Sequence, residues 1–332
     1  MSGKDGPSRS KHSHDPSGDA RWEPNFIRYW LMYFSSAVGI TALLLGVGLF
    51  ILKSQGLLPA PPLVATACID EKLAFLRKQD LGEMTFIAVG SSATWRNLDM
   101  TPFQTDDTRA INAAPCYLYV HETAYFTKLL LDISPSVDTV LVVLAPRDFD
   151  ACPASQAAFM NTWLAKQYIA RRVPYWLPYL VNPRISYLIT EAQTRTKSNL
   201  GLNPQSSMEM DAYGSSLMLG PAPWRPKPVI DAECFDVLRG LSVLLDEADI
   251  KFIVATIPVM PEWRDRFDRD GLIYKAWTED IRQNLVGDAM FLDGSDMDWG
   301  NEAFADPVHL MPDYARRFSG MIAERVSNAG DD

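Results

Sequence analysis

The run Phe304-Ala305-Asp306-Pro307-Val308-His309-Leu310 sets an acid three residues before a histidine, just ahead of a C-terminal helical pattern. At that spacing the carboxylate can reach the imidazole within a single turn, and Pro307 stiffens the connection. An imidazole held in this way is a general base, and it calls for a nucleophile whose proton it can take. Far upstream, the apolar stretch Phe86-Ile87-Ala88-Val89 runs into Gly90-Ser91-Ser92. A serine hydroxyl is a poor nucleophile at neutral pH unless an oriented base stands beside it. Ser91 or Ser92 with Asp306 and His309 therefore reads as the equipment of acyl transfer. The chain has only four histidines, and His12 and His14 lie in a polar N-terminal tail. His121 opens a helical pattern and reads as a surface or capping residue.

These runs must be positioned by elements whose pattern is legible. Short β-branched or aliphatic runs at 85–89, 139–144, 252–257 and 289–292, with a weaker one at 109–112, alternate with helical patterns at 121–131, 232–247, 274–285 and 313–326. Continuous apolar strands alternating with helices predict a parallel sheet covered on both faces. The expected fold is α/β, a doubly wound, mainly parallel three-layer sandwich, whose ligands gather at the carboxyl ends of the strands. Both Gly90-Ser91-Ser92 and Arg147-Asp148 fall at such ends. If β geometry continued through both serines, they would point to opposite faces. A second Gly214-Ser215-Ser216 has no strand before it and reads as a loop.

Residues 30–52 form an apolar run without a charged side chain, bracketed by Arg28 and Lys53, and long enough to cross a bilayer. Ala65-Thr66-Ala67 resembles a signal cleavage site but lies too far beyond the run. The expected organisation is a disordered cytoplasmic tail at 1–28, a transmembrane anchor at 29–53, a Pro-rich linker at 54–67 and an extracytoplasmic domain at 68–329. Lys4, Arg9, Lys11, Arg21 and Arg28 precede the anchor, which sets this orientation by the positive-inside rule.

The formal net charge of −10 argues against a nucleic-acid surface. Cys68, Cys116, Cys152 and Cys234 all follow the anchor, so an oxidising compartment permits two disulfides. Cys116 and Cys152 each follow a strand, which makes them the expected pair and leaves Cys68 with Cys234. The cysteine spacings do not match a zinc site, and no metal or cofactor is expected. Asp293, Asp296 and Asp298 read as a solvated turn. Residues 153–230 break the α/β rhythm as an irregular insertion. Its aromatic residues, Trp163, Tyr168, Tyr175, Trp176, Tyr179, Tyr187 and Trp224, are expected mainly to pack onto the domain, with a substrate lid or membrane contact as the functional alternative.

The segment Phe86-Ile87-Ala88-Val89-Gly90-Ser91-Ser92 resembles the first block of the SGNH (GDSL-like) hydrolase superfamily, with Ser91 in place of the usual Asp. Asp306-Pro307-Val308-His309-Leu310 resembles its last block. With the N-terminal anchor, the chain is similar to membrane-anchored extracytoplasmic SGNH-like proteins of cell-surface polysaccharide and teichoic acid O-acylation. The resemblance implies Ser92 as nucleophile, His309 as base and Asp306 as orienting acid, in an SGNH/flavodoxin-like sandwich. In place of the second-block glycine stands Asn112-Ala113-Ala114-Pro115-Cys116, where the Ala113 amide would serve the oxyanion. In the third block, Ala145-Pro146-Arg147-Asp148-Phe149 puts Arg147 where an Asn side chain is usual. A guanidinium there would bind the oxyanion or an anionic substrate.

Together these readings predict a periplasmic serine esterase or O-acyl(acetyl)transferase acting on a cell-surface carbohydrate polymer or acylated sugar. A multispanning membrane acyltransferase is the implied partner, and the bilayer is contacted through residues 30–52. The altered second and third blocks motivate an alternative, a catalytically idle binding or assembly subunit of a polysaccharide modification or export complex. An anchored lipase would want a more apolar lid than residues 153–230 supply.

Overall fold

Alternating apolar strands joined by amphipathic helices build the globular part of this chain. The computed structural model describes residues 24–152, 158–202 and 208–328. His12, His14 and the expected tail up to residue 23 lie outside the described residues, as does 153–157 of the insertion. Two units are distinct, one ending at Leu58 and one from Pro59 onward. The first is dominated by α1 (Pro24–Ser54). Its stretch Phe26–Ser54, in which an 18-residue window reaches a mean hydropathy of 2.2, is long and apolar enough to cross a membrane.

In the second unit the order is α2 (Ala67–Leu76), β1 (Phe86–Val89), α3 (Ser92–Asn97), β2 (Ala110–Asn112), α4 (Val120–Leu131) and β3 (Thr139–Leu144). Then come α5 (Thr162–Ile169), α6 (Leu177–Val181), α7 (Ile185–Asn199), α8 (Glu233–Glu247), β4 (Lys251–Thr256), α9 (Pro261–Phe267), α10 (Leu272–Asn284) and β5 (Met290–Leu292). The chain ends with β6 (Phe304–Asp306), β7 (His309–Leu310) and α11 (Pro312–Asn328). Five strands form one parallel sheet in the order β2-β1-β3-β4-β5. Period-two alternation sends Ile87, Val89, Val140, Val142 and Val254 to one buried cluster, shared with α2, α4, α8 and α10. Phe86, Ala88, Leu141, Val143 and Ile253 enter a second cluster, with Phe318 and Ile322 of α11.

The expected strands and long helices match these elements to within two residues at nearly every end. The insertion is less irregular than its composition suggests, because α5, α6 and α7 occupy much of it. Among its aromatics, Tyr168 and Tyr179 are buried, whereas Trp163, Tyr175, Trp176 and Trp224 are exposed, so packing does not account for most of them. Gly214-Ser215-Ser216 is a loop, as expected, but a buried one. Gly214 has φ +90, and a Cβ there would lie 2.4 Å from the Asn112 carbonyl oxygen, so only glycine fits. Its own carbonyl accepts from Lys72 Nζ at 2.6 Å and Trp95 Nε1 at 3.1 Å. Burial pushes the Lys72 ammonium well below its ordinary pKa.

The cysteines pair as Cys68–Cys116 and Cys152–Cys234, with Cα atoms 5.8 and 5.4 Å apart. This corrects the expected Cys116–Cys152 pair, and the sheet order explains why. β1 lies between β2 and β3, so the ends of those strands are two spacings, roughly 9.5 Å, apart. That exceeds the reach of a disulfide. Closing loops of 48 and 82 residues stabilises the fold by about 4 kcal/mol each in the chain-entropy picture. Non-reducing peptide mapping is expected to recover Cys68 linked to Cys116 and Cys152 linked to Cys234. A Cys116–Cys152 peptide would contradict the strand order.

Candidate active site

Gly90 decides how β1 hands over to α3. Its φ is +137, and a Cβ would lie 2.3 Å from Thr94 Oγ1. That hydroxyl donates to the carbonyls of Val89 and Val143 and accepts the Val143 amide, riveting α3 to β1 and β3. A side chain at position 90 would drive this rivet out. The tight turn makes Ser91 the N-cap of α3, its Oγ accepting the Ala93 amide at 3.1 Å. The Ser91 hydroxyl also acts to lower the pKa of the nearby Asp148 carboxyl. Ser92 is the first residue of the helix, 8% exposed, at the end where the helix dipole favours developing negative charge. The two serines therefore differ by role at a helix start, and not by alternation along a strand.

The Asp306 turn is organised by one carboxylate. Oδ1 accepts the amides of Val308 at 2.8 Å and His309 at 3.0 Å, while Oδ2 holds His309 Nδ1 at 2.8 Å. Asp306 is buried. With Nδ1–H donated to the carboxylate, Nε2 is the free basic nitrogen. It is buried and has no hydrogen-bond partner among the described residues, so no bond to Ser92 is formed in this conformation.

Asp306 and His309 sit on β6 and β7, a separate antiparallel hairpin. They do not lie on a last strand of the main sheet meeting the first. Asn97 closes the gap. Its Nδ2 donates to the Val308 carbonyl and its Oδ1 accepts the Leu310 amide, both at 2.7 Å, so the residues flanking His309 are clamped to α3. Asn97 follows Ser92 by five residues, about 7.5 Å of helix rise. The clamp thus ties the residues flanking His309 to the end of the short helix that Ser92 begins, across more than 200 residues of sequence. Sequence reasoning passed over Asn97, because its partners lie more than 200 residues away.

Asp148, placed with Arg147 at a strand end but given no role of its own, lies in a 3₁₀ turn following β3. Its carboxylate accepts the Ala145 amide at 2.9 Å and lies near the Ser91 hydroxyl. Burial pushes its pKa up to about 7, against the lowering effect of those two groups. A carboxyl raised above its ordinary value binds more protons folded than unfolded. Its contribution to stability is therefore fully present below about pH 3.8 and is lost as pH rises through about 7. Thermal unfolding of Asp148→Asn should show a flatter loss of stability between pH 4 and 7 than the unaltered chain. Equal slopes would contradict the raised pKa.

Comparison with family models, with curated proteins and with solved structures finds no match to this chain. The site must be read from its own geometry.

The oxyanion expectations fare differently. The Ala113 amide donates to the Ala88 carbonyl at 2.8 Å, so in this conformation it is committed to the sheet edge and is not open to an oxyanion. Arg147 is not paired with Asp148 by a salt bridge. Its guanidinium lies over the rings of Tyr117, at 5.8 Å, and Trp224, at 5.0 Å. Stacking occupies its faces and leaves its edge donors available to an anion. Trp224 is delivered there by the end of the insertion, where the Ala222 amide donates to the Ala305 carbonyl beside Asp306. A narrow, mostly apolar cleft of about 20 Å³ runs alongside, lined by Arg147, Lys227, Met260, Trp263, Tyr274 and Val308.

His121 is buried on α4, its Nδ1 3.3 Å from Cys152 Sγ, which places it at a disulfide on another face of the sheet. Asp293 caps a 3₁₀ turn by accepting the Ser295 amide. Among the described residues no three His, Cys, Asp or Glu side chains are grouped to hold a metal ion.

Proposed function

We propose that the chain is an extracytoplasmic serine esterase or O-acyl(acetyl)transferase that works through an acyl-serine on Ser92. The observation that carries this reading is the clamp by Asn97, which holds a carboxylate-oriented imidazole against the helix that begins with Ser92. In the proposed cycle Ser92 Oγ attacks the acyl carbon while His309 Nε2 takes its proton. The tetrahedral oxyanion forms at the N-terminus of α3, with the Arg147 edge as a second donor. Collapse expels the leaving alcohol, which receives the proton from His309. Water or a sugar hydroxyl then repeats the sequence to release the acyl group.

Several features support the details. The strand order β2-β1-β3-β4-β5 is that of doubly wound sheets whose ligands bind at the β1/β3 switch point. Ser92 and Arg147 follow those two strands, and this is also the place an SGNH-like arrangement would use. The exposed Tyr117 and Trp224 rings offer stacking faces to a saccharide. Two disulfides favour an oxidising compartment, as does the basic segment before α1 under the positive-inside rule. A polytopic membrane acyltransferase as donor partner is consistent with the anchor.

The assay is release of acetate from p-nitrophenyl acetate and transfer of the acetyl group to neutral and uronate oligosaccharides. Turnover that depends on Ser92 is expected. Full-length protein inert toward every acyl donor would favour the idle binding subunit.

A further inference from the structure

We propose that the α6–α7 segment rests on an anionic bilayer surface, an inference that depends on α1 being a membrane anchor. Helix α7 has no buried residue. Ile185 and Ile189, one turn apart, are 64% and 54% exposed, and Trp176, Leu180 and Val181 just before them are exposed as well. Ordinary soluble surfaces rarely leave so many large apolar side chains together without a partner.

Charge says what that partner is. Residues 163–202 carry six cationic side chains, Lys166, Arg171, Arg172, Arg184, Arg195 and Lys197, against the single anion Glu191, in a chain of net charge −10. Arg195 pairs with Glu71 and Lys166 with Asp132. Arg172, Arg184 and Lys197 form no ion pair among the described residues. Apolar and aromatic side chains interleaved with unpaired cations are the composition of an interfacial segment drawn to anionic headgroups.

Chain connectivity keeps this surface within reach. Tyr179 Oη donates to the Pro59 carbonyl at 2.5 Å, and Asn182 Nδ2 to the Pro62 carbonyl at 2.7 Å. Pro59 is five residues beyond Ser54, the end of α1, a span of at most about 18 Å. Asp70, which accepts from Val64, Ala65 and Tyr187, ties the same linker to α7. The segment fastened to the linker is thus the one that bears the apolar and cationic side chains.

The test uses the full chain reconstituted in vesicles of phosphatidylcholine, with and without phosphatidylglycerol, containing brominated acyl chains. The difference in emission between unaltered protein and Trp176→Phe isolates Trp176 from Trp30 in the anchor. Trp176 should be quenched in phosphatidylglycerol vesicles, with amide exchange in 177–199 several-fold slower than in phosphatidylcholine alone. Both effects should be lost in Ile185→Glu/Ile189→Glu, a change at exposed positions that leaves the core untouched. An unquenched Trp176 with identical exchange in both vesicles would overturn the proposal and point to a protein partner for this surface. Resistance to alkaline carbonate extraction reports on the anchor by itself, so failure of the anchor and failure of the docking are told apart.

Discussion

Ser92→Ala is expected to remove acyl transfer, a loss on the order of 10⁶-fold in kcat if the serine, imidazole and carboxylate act as one unit. Folding should be unaffected, because the Ser92 hydroxyl caps nothing and anchors no buried group. Ser91→Ala should do the reverse. It removes the N-cap bond to Ala93, so it should cost about 1 kcal/mol of stability while activity falls far less. Turnover by the purified variants, with their unfolding midpoints, checks both halves. An inactive Ser91→Ala beside an active Ser92→Ala would exchange the two assignments.

Asp306→Asn is expected to lower turnover by about 10⁴-fold with little change in fold. The amide oxygen of Asn can still accept the Val308 and His309 amides, which preserves the turn. Its NH₂ would then face His309 Nδ1 and force that nitrogen to accept. The imidazole proton moves to Nε2, the nitrogen that must take the Ser92 proton, and the base is lost. A near-normal rate for Asp306→Asn at neutral pH would show that the imidazole does not act through its carboxylate.

Strands β1, β3 and β4 were legible because they are largely apolar runs of four to six residues, and the amphipathic helices α8, α10 and α11 because their apolar positions recur every three or four. The Asp306–His309 pair was legible because it closes within three residues. What joins it to Ser92 was not. Asn97 acts by contacts 211 and 213 residues away, and no local pattern marks it. The same holds for the cysteines, whose pairing follows from strand order and not from spacing along the chain. The Ala113 amide failed as an expected donor for a different reason: a motif position tells where a backbone group is, not whether a neighbouring carbonyl already holds it. The insertion's aromatics were misread because exposed tryptophans look, in composition alone, like packing residues.

Labelling with a fluorophosphonate tests the central claim most directly, since it reports a serine activated by its surroundings and needs no knowledge of substrate. Peptide mapping of the labelled full-length protein should place the phosphonyl group on Ser92, with labelling abolished in Ser92→Ala and sharply reduced in His309→Ala. A folded protein that takes no label, or that takes it on Ser91, would contradict the account.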